Sequence, residues 1–311
     1  MLSGKDRIPF RVKPMLATLV RKPFQLSNWT YEEKYDGYRI LAYKEGDRVT
    51  LFSRNANDRT ATYASVARAV GQIRPRTVLL DGEVVAFDKQ DVSRFQLLQS
   101  GGAAAVYAVF DCLYLSGRDL RREPLSIRRP AAESAIDAIK GLMISRQLSE
   151  NGLEAFKIAK KRGYEGIVAK DLSAPYIEGR SSKWLKVKVH QEEEMVIGGF
   201  TEPEGARRYI GALLLGAYED GALRYVGKVG TGFTEDTLAS LYTKFKPLAQ
   251  AKPSFVDPPR EKDVTYLRPK LVAQIAFQEW TDDRKLRQPV FLGLRDDKKP
   301  EEVQLPSKNS V

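Results

Sequence analysis

The sequence predicts an α+β fold in two domains, residues 1–190 and 191–311, both organised around antiparallel strands. Three observations predict it. β-type segments alternate with turns between residues 29 and 115. Helical periodicity intervenes only in short stretches. After "HQEEEM", residues 190 to 195, a second series of short strands begins, with a single helix among them.

In the first domain, "WTYEEKY", "YRILAYKEGDRVTLFSR", "TVLLDGEVVAFD" and "VYAVFDCLYL" read as strands, because β-branched and aromatic residues dominate them. Asp36-Gly37 and Asp81-Gly82 read as turn dipeptides. "YASVARAVGQI" and "RRPAAESAIDAIKGL" space their apolar residues as helices do. "SENGLEAFKIAKKRGY" predicts a helix capped by Ser149 or Asn151 and ended by Gly163. Strand signals resume at "EGIVAKD" and "KWLKVKVH". In the second domain the strands are "MVIGGFT", "GALLLGAYED", "ALRYVGKVG", "LVAQIAFQEW" and "PVFLGL", with the helix "TEDTLASLYTKFKPL" between them. This pattern resembles an oligonucleotide-binding (OB-fold) β-barrel.

Composition removes several kinds of chemistry. One cysteine, Cys112, excludes an internal disulfide and a Cys-rich zinc site, and its apolar strand predicts a buried thiol. One histidine, His190, excludes His-based metal centres and Ser-His-Asp triads. Catalysis must therefore come from Lys, Arg, Asp, Glu or hydroxyl groups. No apolar run is long enough to span a bilayer, and the first ten residues lack the apolar core of a signal peptide. A cytoplasmic protein with no membrane partner is expected. Residues 1–190 carry 33 Lys+Arg against 21 Asp+Glu, while residues 191–311 carry 18 against 19. The positive excess thus belongs to the first domain and suits a polyanion such as nucleic acid.

Lys34 lies in Lys-Tyr-Asp-Gly. Alone, that tetrapeptide favours a solvent-facing lysine beside a hairpin turn. Further along come Ser53-Arg54-Asn55, Asp81-Gly82-Glu83, the Phe110 segment, Glu165-Gly166-Ile167-Val168-Ala169-Lys170 and Trp184-Leu185-Lys186-Val187-Lys188. Lys186 and Lys188 share one face of a strand. In this order the motifs resemble those of the covalent nucleotidyltransferase superfamily: ATP-dependent DNA ligases, RNA ligases and mRNA-capping enzymes. "LDGEVVAFDKQDVSRFQLLQ", "QEEEMVIGGFT" and "RQPVFLGLRDDK" look most like the ligase domain of bacterial non-homologous end-joining DNA ligases. Ala56 stands where many relatives have glycine.

The resemblance implies a nucleotidyltransferase (adenylation) domain followed by an OB-fold domain, and a ligase that seals 5′-phosphate/3′-hydroxyl breaks in duplex DNA. Lys34 would be the nucleophile that takes AMP from ATP. Glu83 and Glu165 would hold magnesium, or manganese in its place. Glu32 and Lys170 would help place the nucleotide, Phe110 would stack on adenine, and Arg39 and Arg54 would hold ribose or phosphate. Lys186 and Lys188 would counter the α-phosphoryl charge. Neighbouring cations, Arg39, Lys186, Lys188 and a bound metal, are expected to favour the neutral Lys34 amine. Arg295 and Lys298 would orient the departing pyrophosphate, with a hinge near His190 to Glu194. Nicked or broken duplex DNA, end-binding or other repair proteins and a monomeric chain complete the expectation. An RNA ligase or capping-type enzyme and a non-catalytic nucleic-acid-binding scaffold are the competing readings.

Overall fold

A computed structural model describes residues 8–100, 104–189, 191–203 and 208–306. The chain divides into two compact units, Met1–Val189 and His190–Val311, each with its own apolar core.

Two sheets build the first unit. One has the order β1 (Met15–Leu19), β11 (Gly179–Lys188), β10 (Gly166–Asp171), β2 (Trp29–Lys34) and β9 (Gln147–Ser149). The other runs β4 (Arg48–Ser53), β3 (Tyr38–Glu45), β5 (Thr77–Val85), β6 (Val106–Leu115) and β7 (Arg118–Asp119), with β8 (Leu142–Ile144) also on β6. The pairs are antiparallel except β1 with β11 and β6 with β8, where parallel strands join segments distant in sequence. Met15 and Trp184 from the first sheet pack with Leu41, Tyr43, Leu79, Phe110 and Leu113 from the second. Helices α1 (Ala64–Gly71) and α3 (Leu125–Ile136) bury Val66, Val70, Ala132 and Ile136 in the core with Ile40, Leu80 and Val109 of the second sheet. Helix α4 (Gly152–Arg162) buries Ala155 and Ala159 with Tyr31, Ile167 and Val187 of the first. The short α2 (Phe95–Ser100) is tied at its start by Asp36, whose Oδ2 accepts the Phe95 N–H at 3.0 Å.

Local chemistry explains both matches and departures. Asn151 Oδ1 accepts the Leu153 and Glu154 N–H groups at 3.0 and 3.1 Å, and Gly163 ends α4 at φ 74°. Ser149 is instead a residue of β9, and its hydroxyl accepts the Asn151 N–H. Helix α3 begins at Leu125, ahead of the predicted start, and runs through Pro130. Its Arg128, fully buried, forks onto Asp111 of β6 at 2.8 and 2.9 Å and anchors the helix there. Asp36-Gly37 does not close a hairpin: it carries the chain from β2 into β3, which belongs to the other sheet. A Cβ on Gly37 would stand 2.3 Å from the Val84 carbonyl oxygen, so only glycine fits this crossing.

Asp81-Gly82 is not a turn either. Both residues sit inside β5, opposite Leu41 and Ile40 of β3. Glycine is needed there because a Cβ would press on the Tyr107 ring and the Ala108 carbonyl, each at 2.6 Å. Ala56 adopts φ 59°, the left-handed conformation that glycine takes without cost, and its N–H still bonds the Ser53 carbonyl at 2.8 Å. Cys112 is fully buried, and burial pushes its thiol up to about 12.

The second unit is one antiparallel sheet, β14 (Ala222–Val229), β13 (Leu213–Glu219), β12 (Gln191–Thr201), β16 (Val264–Phe277) and β15 (Ala249–Gln250), with β17 (Val290–Leu294) also on β16. Helix α5 (Glu235–Phe245), capped by the Thr234 hydroxyl, buries Leu238, Leu241 and Phe245 in its core. The boundary between the two units falls between Val189 and His190, at the start of the predicted hinge segment. Gln191 to Glu194 are strand residues facing Phe277 to Gln274 of β16, because that long strand supplies ladder partners for the acidic run. His190 lies outside the described residues. Among the described residues no helix is long and apolar enough to cross a membrane.

Candidate active site

Strand register assembles the site. Lys34, Gly166 and Lys188 stand in one row across β2, β10 and β11, and Glu32, Val168 and Lys186 stand in the next. Alternate residues of a strand share a face, so the three lysines and Glu32 lie on one side of the sheet. Gly166 has backbone where a side chain would point: a Cβ would be 2.1 Å from the Val187 carbonyl oxygen. Glu165, one residue earlier, reaches between the lysines. Its Oε2 accepts from Lys34 Nζ at 2.5 Å, and its Oε1 lies 3.7 Å from Lys188 Nζ.

The charges in this group settle the state of Lys34. Burial pushes its ammonium down, but the charges of Glu165 and Glu83, the Glu165 hydrogen bond and Asp36 outweigh that and hold it above the usual lysine value. Burial pushes Glu165 up, yet Lys34, Lys188 and Lys186 hold its carboxyl below the usual range. The resting pair is therefore ammonium and carboxylate. Glu165 stands between Lys34 and Lys188, and Arg39 is engaged by Asp81, so in the chain by itself the carboxylates outweigh the neighbouring cations at Lys34.

Arg39 forks onto buried Asp81 at 2.5 and 2.6 Å and donates to the Met15 carbonyl at 3.1 Å. Its guanidinium also covers the Phe110 ring at 4.4 Å. Tyr176 donates its hydroxyl to Asp81 Oδ2 at 2.6 Å, so Asp81 serves as the anchor for Arg39. Glu83 is opposite Arg39 across β5 and β3. Phe110 is the residue left over by a bulge in the β5–β6 ladder, where Asp81 pairs Asp111 and Gly82 pairs Val109. It lies edge-on to Trp184 at 5.7 Å, with Lys170 Nζ 4.3 Å from its ring centroid. Arg54 follows the end of β4 and is half-buried, one residue after Ser53, which pairs Ile40.

Glu32 is deeply buried among three donors. Arg129 Nη1 reaches Oε1 at 2.5 Å, Lys170 Nζ reaches Oε2 at 2.6 Å, and the Ser145 hydroxyl also donates to Oε2. Lys170 is held below the usual lysine value by burial, partly offset by Glu32. Arg129 and Ser145 escaped sequence reasoning. Arg129 lies in the predicted helix "RRPAAESAIDAIKGL", and only tertiary structure brings its guanidinium to Glu32 of β2.

Two predicted residues belong to the second unit. Arg295 forks onto Asp297 at 2.8 and 2.9 Å, and Lys298 Nζ is 3.2 Å from Glu194 Oε1. Burial pushes Asp297 up, but Arg295 and Lys298 hold its carboxyl below the usual range. The structure thus brings Lys34, Glu83, Glu165, Lys186 and Lys188 into one charged cluster, sets Glu32, Lys170, Phe110 and Arg39 along its wall, and keeps Arg295 and Lys298 on acidic partners of their own unit.

Residues 14–188 match the family described as ATP dependent DNA ligase domain, and residues 206–298 match ATP dependent DNA ligase C terminal region. The chain is 38% identical over 313 residues to the multifunctional non-homologous end joining protein LigD of Pseudomonas aeruginosa, covering 96% of this chain and 37% of that protein. The protein of the same name from Mycolicibacterium smegmatis is 38% identical over 312 residues, with 97% and 41% covered. The chain spans about two fifths of the length of these relatives. A solved structure described as mycobacterial DNA ligase D complexed with ATP and MES is similar over 96% of this chain and 100% of its own, at 35% identity and a TM-score of 0.74. With both units matched, the chain belongs to the family of ATP-dependent DNA ligases, its first unit carrying the nucleotidyltransferase fold and its second the oligonucleotide-binding fold.

Proposed function

We propose that Lys34 is the nucleophile of a DNA-sealing reaction in which AMP passes from ATP to the enzyme and then to a 5′-phosphate in duplex DNA. The observation that carries this reading is the 2.5 Å contact of Lys34 with Glu165 inside a ring of Lys186, Lys188 and Glu83. Lys34 is stored as an ammonium and must release a proton before its nitrogen lone pair can attack the α-phosphorus. The new N–P bond forms as the bond to the β-phosphate oxygen breaks and pyrophosphate leaves. Lys186 and Lys188 counter the charge on the α-phosphoryl oxygens. AMP then moves to the 5′-phosphate of the break, and the 3′-hydroxyl displaces it to close the strand.

Glu83 and Glu165 fit magnesium, or manganese. Both carboxylates act on the Lys34 charge, and carboxylate oxygens suit a hard cation that takes its other ligands from substrate phosphates and water. When bound, the metal supplies charge neutralisation at the phosphates. Glu32, Lys170, Phe110, Arg39 and Arg54 form the nucleotide-facing wall in this reading, and Arg295 and Lys298 orient pyrophosphate once they exchange Asp297 and Glu194 for it. The names of the longer relatives support a role in non-homologous end joining; end-binding or other repair proteins would be the partners in this reading.

The test is a nicked duplex with a 5′-phosphate, ATP labelled at its α-phosphate, and magnesium. The intact chain is expected to acquire label and seal the nick, and Lys34→Ala to do neither. Label on the Lys34→Ala chain would overturn the nucleophile assignment. Sealing confined to a nick bearing RNA would move the chain to RNA ligation.

A further inference from the structure

The nucleophile is held from behind. Lys34 presents its side chain on one face of β2, while Glu33 projects to the other, where it meets the guanidinium of Arg146, which with Ser145 links β8 to β9. The Arg146 carbonyl accepts the Glu33 N–H at 2.9 Å, and the Arg146 N–H donates to the Tyr35 hydroxyl at 3.0 Å. Its guanidinium donates to Glu33 Oε2 at 3.2 Å and to the Tyr164 hydroxyl at 3.4 Å. It also reaches Asp91 Oδ1 at 2.8 Å and lies 4.9 Å from the Phe87 ring centroid. One residue thus grips both neighbours of Lys34 and the residue that precedes Glu165. Ser145 continues the same clasp: its hydroxyl donates to Glu32, and its N–H donates to the Val109 carbonyl of β6 at 2.7 Å.

We propose that Arg146 is a positioning residue for the first chemical step, fixing the Lys34 backbone against Glu165 through Glu33, Tyr35 and Tyr164. The proposal rests on Lys34 as the nucleophile. Two features favour this over simple surface pairing. Glu33 is buried, and its Oε1 has no hydrogen-bond partner among the described residues, so its carboxyl group is held through Oε2 by Arg146. The contacts also use main chain and side chain of Arg146 together. A surface ion pair needs only the latter. Attack on phosphorus demands an aligned nitrogen, and a small misplacement of the backbone costs rate far more than it costs nucleotide affinity.

The test compares two steps in the full chain. One is the single-turnover rate of Lys34 adenylation with its dependence on ATP. The other is closure of a nick supplied already adenylated, which bypasses Lys34. Arg146→Gln is expected to slow adenylation at saturating ATP about tenfold or more, to change the KM for ATP by no more than about threefold, and to slow nick closure much less. Arg146→Lys, which keeps a cation for Glu33 without the fork, is expected to recover part of the rate. Equal losses in both steps, or no loss in adenylation, would overturn the proposal. Should Arg146→Gln fail to fold, Tyr35→Phe removes the acceptor of the Arg146 N–H and is expected to slow adenylation selectively; an unchanged first step would overturn it. Label retained by Lys34→Ala would instead remove the nucleophile reading on which this rests.

Discussion

Glu33 shows how one side chain can tie stability to pH. Burial pushes its carboxyl up to about 7, the Arg146 charge and hydrogen bond hold it from rising further, and Asp91 adds to the rise. The folded chain therefore binds a proton at Glu33 between pH 4.5, its unperturbed value, and about 7, where the unfolded chain has released it. Stability from this group is fully present below that window and is lost as pH rises through it, by an amount on the order of 3 kcal/mol. Urea unfolding of Glu33→Gln is expected to be less pH-dependent than that of the parent between pH 4.5 and 7. An unchanged slope would show that Glu33 stays ionised. Lys34 is also raised, but for a lysine this favours the charged form. Its acidic neighbours hold it protonated, so activation belongs to the loaded enzyme.

Elements convert these residues into a site through register. The row Lys34–Gly166–Lys188 exists because β10 lies between β2 and β11 in antiparallel order, and Gly166 is its narrowest point. Gly166→Ala would force a Cβ to within 2.1 Å of the Val187 carbonyl and push β11 from β10. A lower melting temperature and an adenylation rate reduced by about tenfold or more are expected, measured by thermal unfolding and label transfer. The lysine, glutamate and arginine motifs were legible in the sequence as motifs. Their charge states were not, because Asp81 and Glu165 act from distant segments. Likewise the strands were legible by composition, but Asp81-Gly82 looks like a turn until the Tyr107 ring is seen packing against it. Helix α3 starts at Leu125, ahead of its predicted start, and the buried Arg128–Asp111 pair that anchors it is invisible in one dimension. The short strands β1, β7, β8, β9 and β15 carry too few residues for a pattern to emerge.

At the scale of the whole chain, charge is divided unevenly. Residues 1–190 hold the excess of Lys and Arg, and residues 191–311 are almost neutral. Binding of a nicked duplex should therefore weaken linearly in log–log form as salt rises, by on the order of 10²–10³ between 50 and 200 mM if several phosphates are contacted. Fluorescence anisotropy would measure it. A flat response would mean that the basic excess does not meet the DNA backbone. The sealed position of Cys112 carries a different consequence. The chain's only thiol is unreactive near neutral pH, so the protein is already a background-free scaffold for maleimide chemistry. A dye pair on two introduced surface cysteines, one per unit, would report their separation through every turnover without first deleting a native residue.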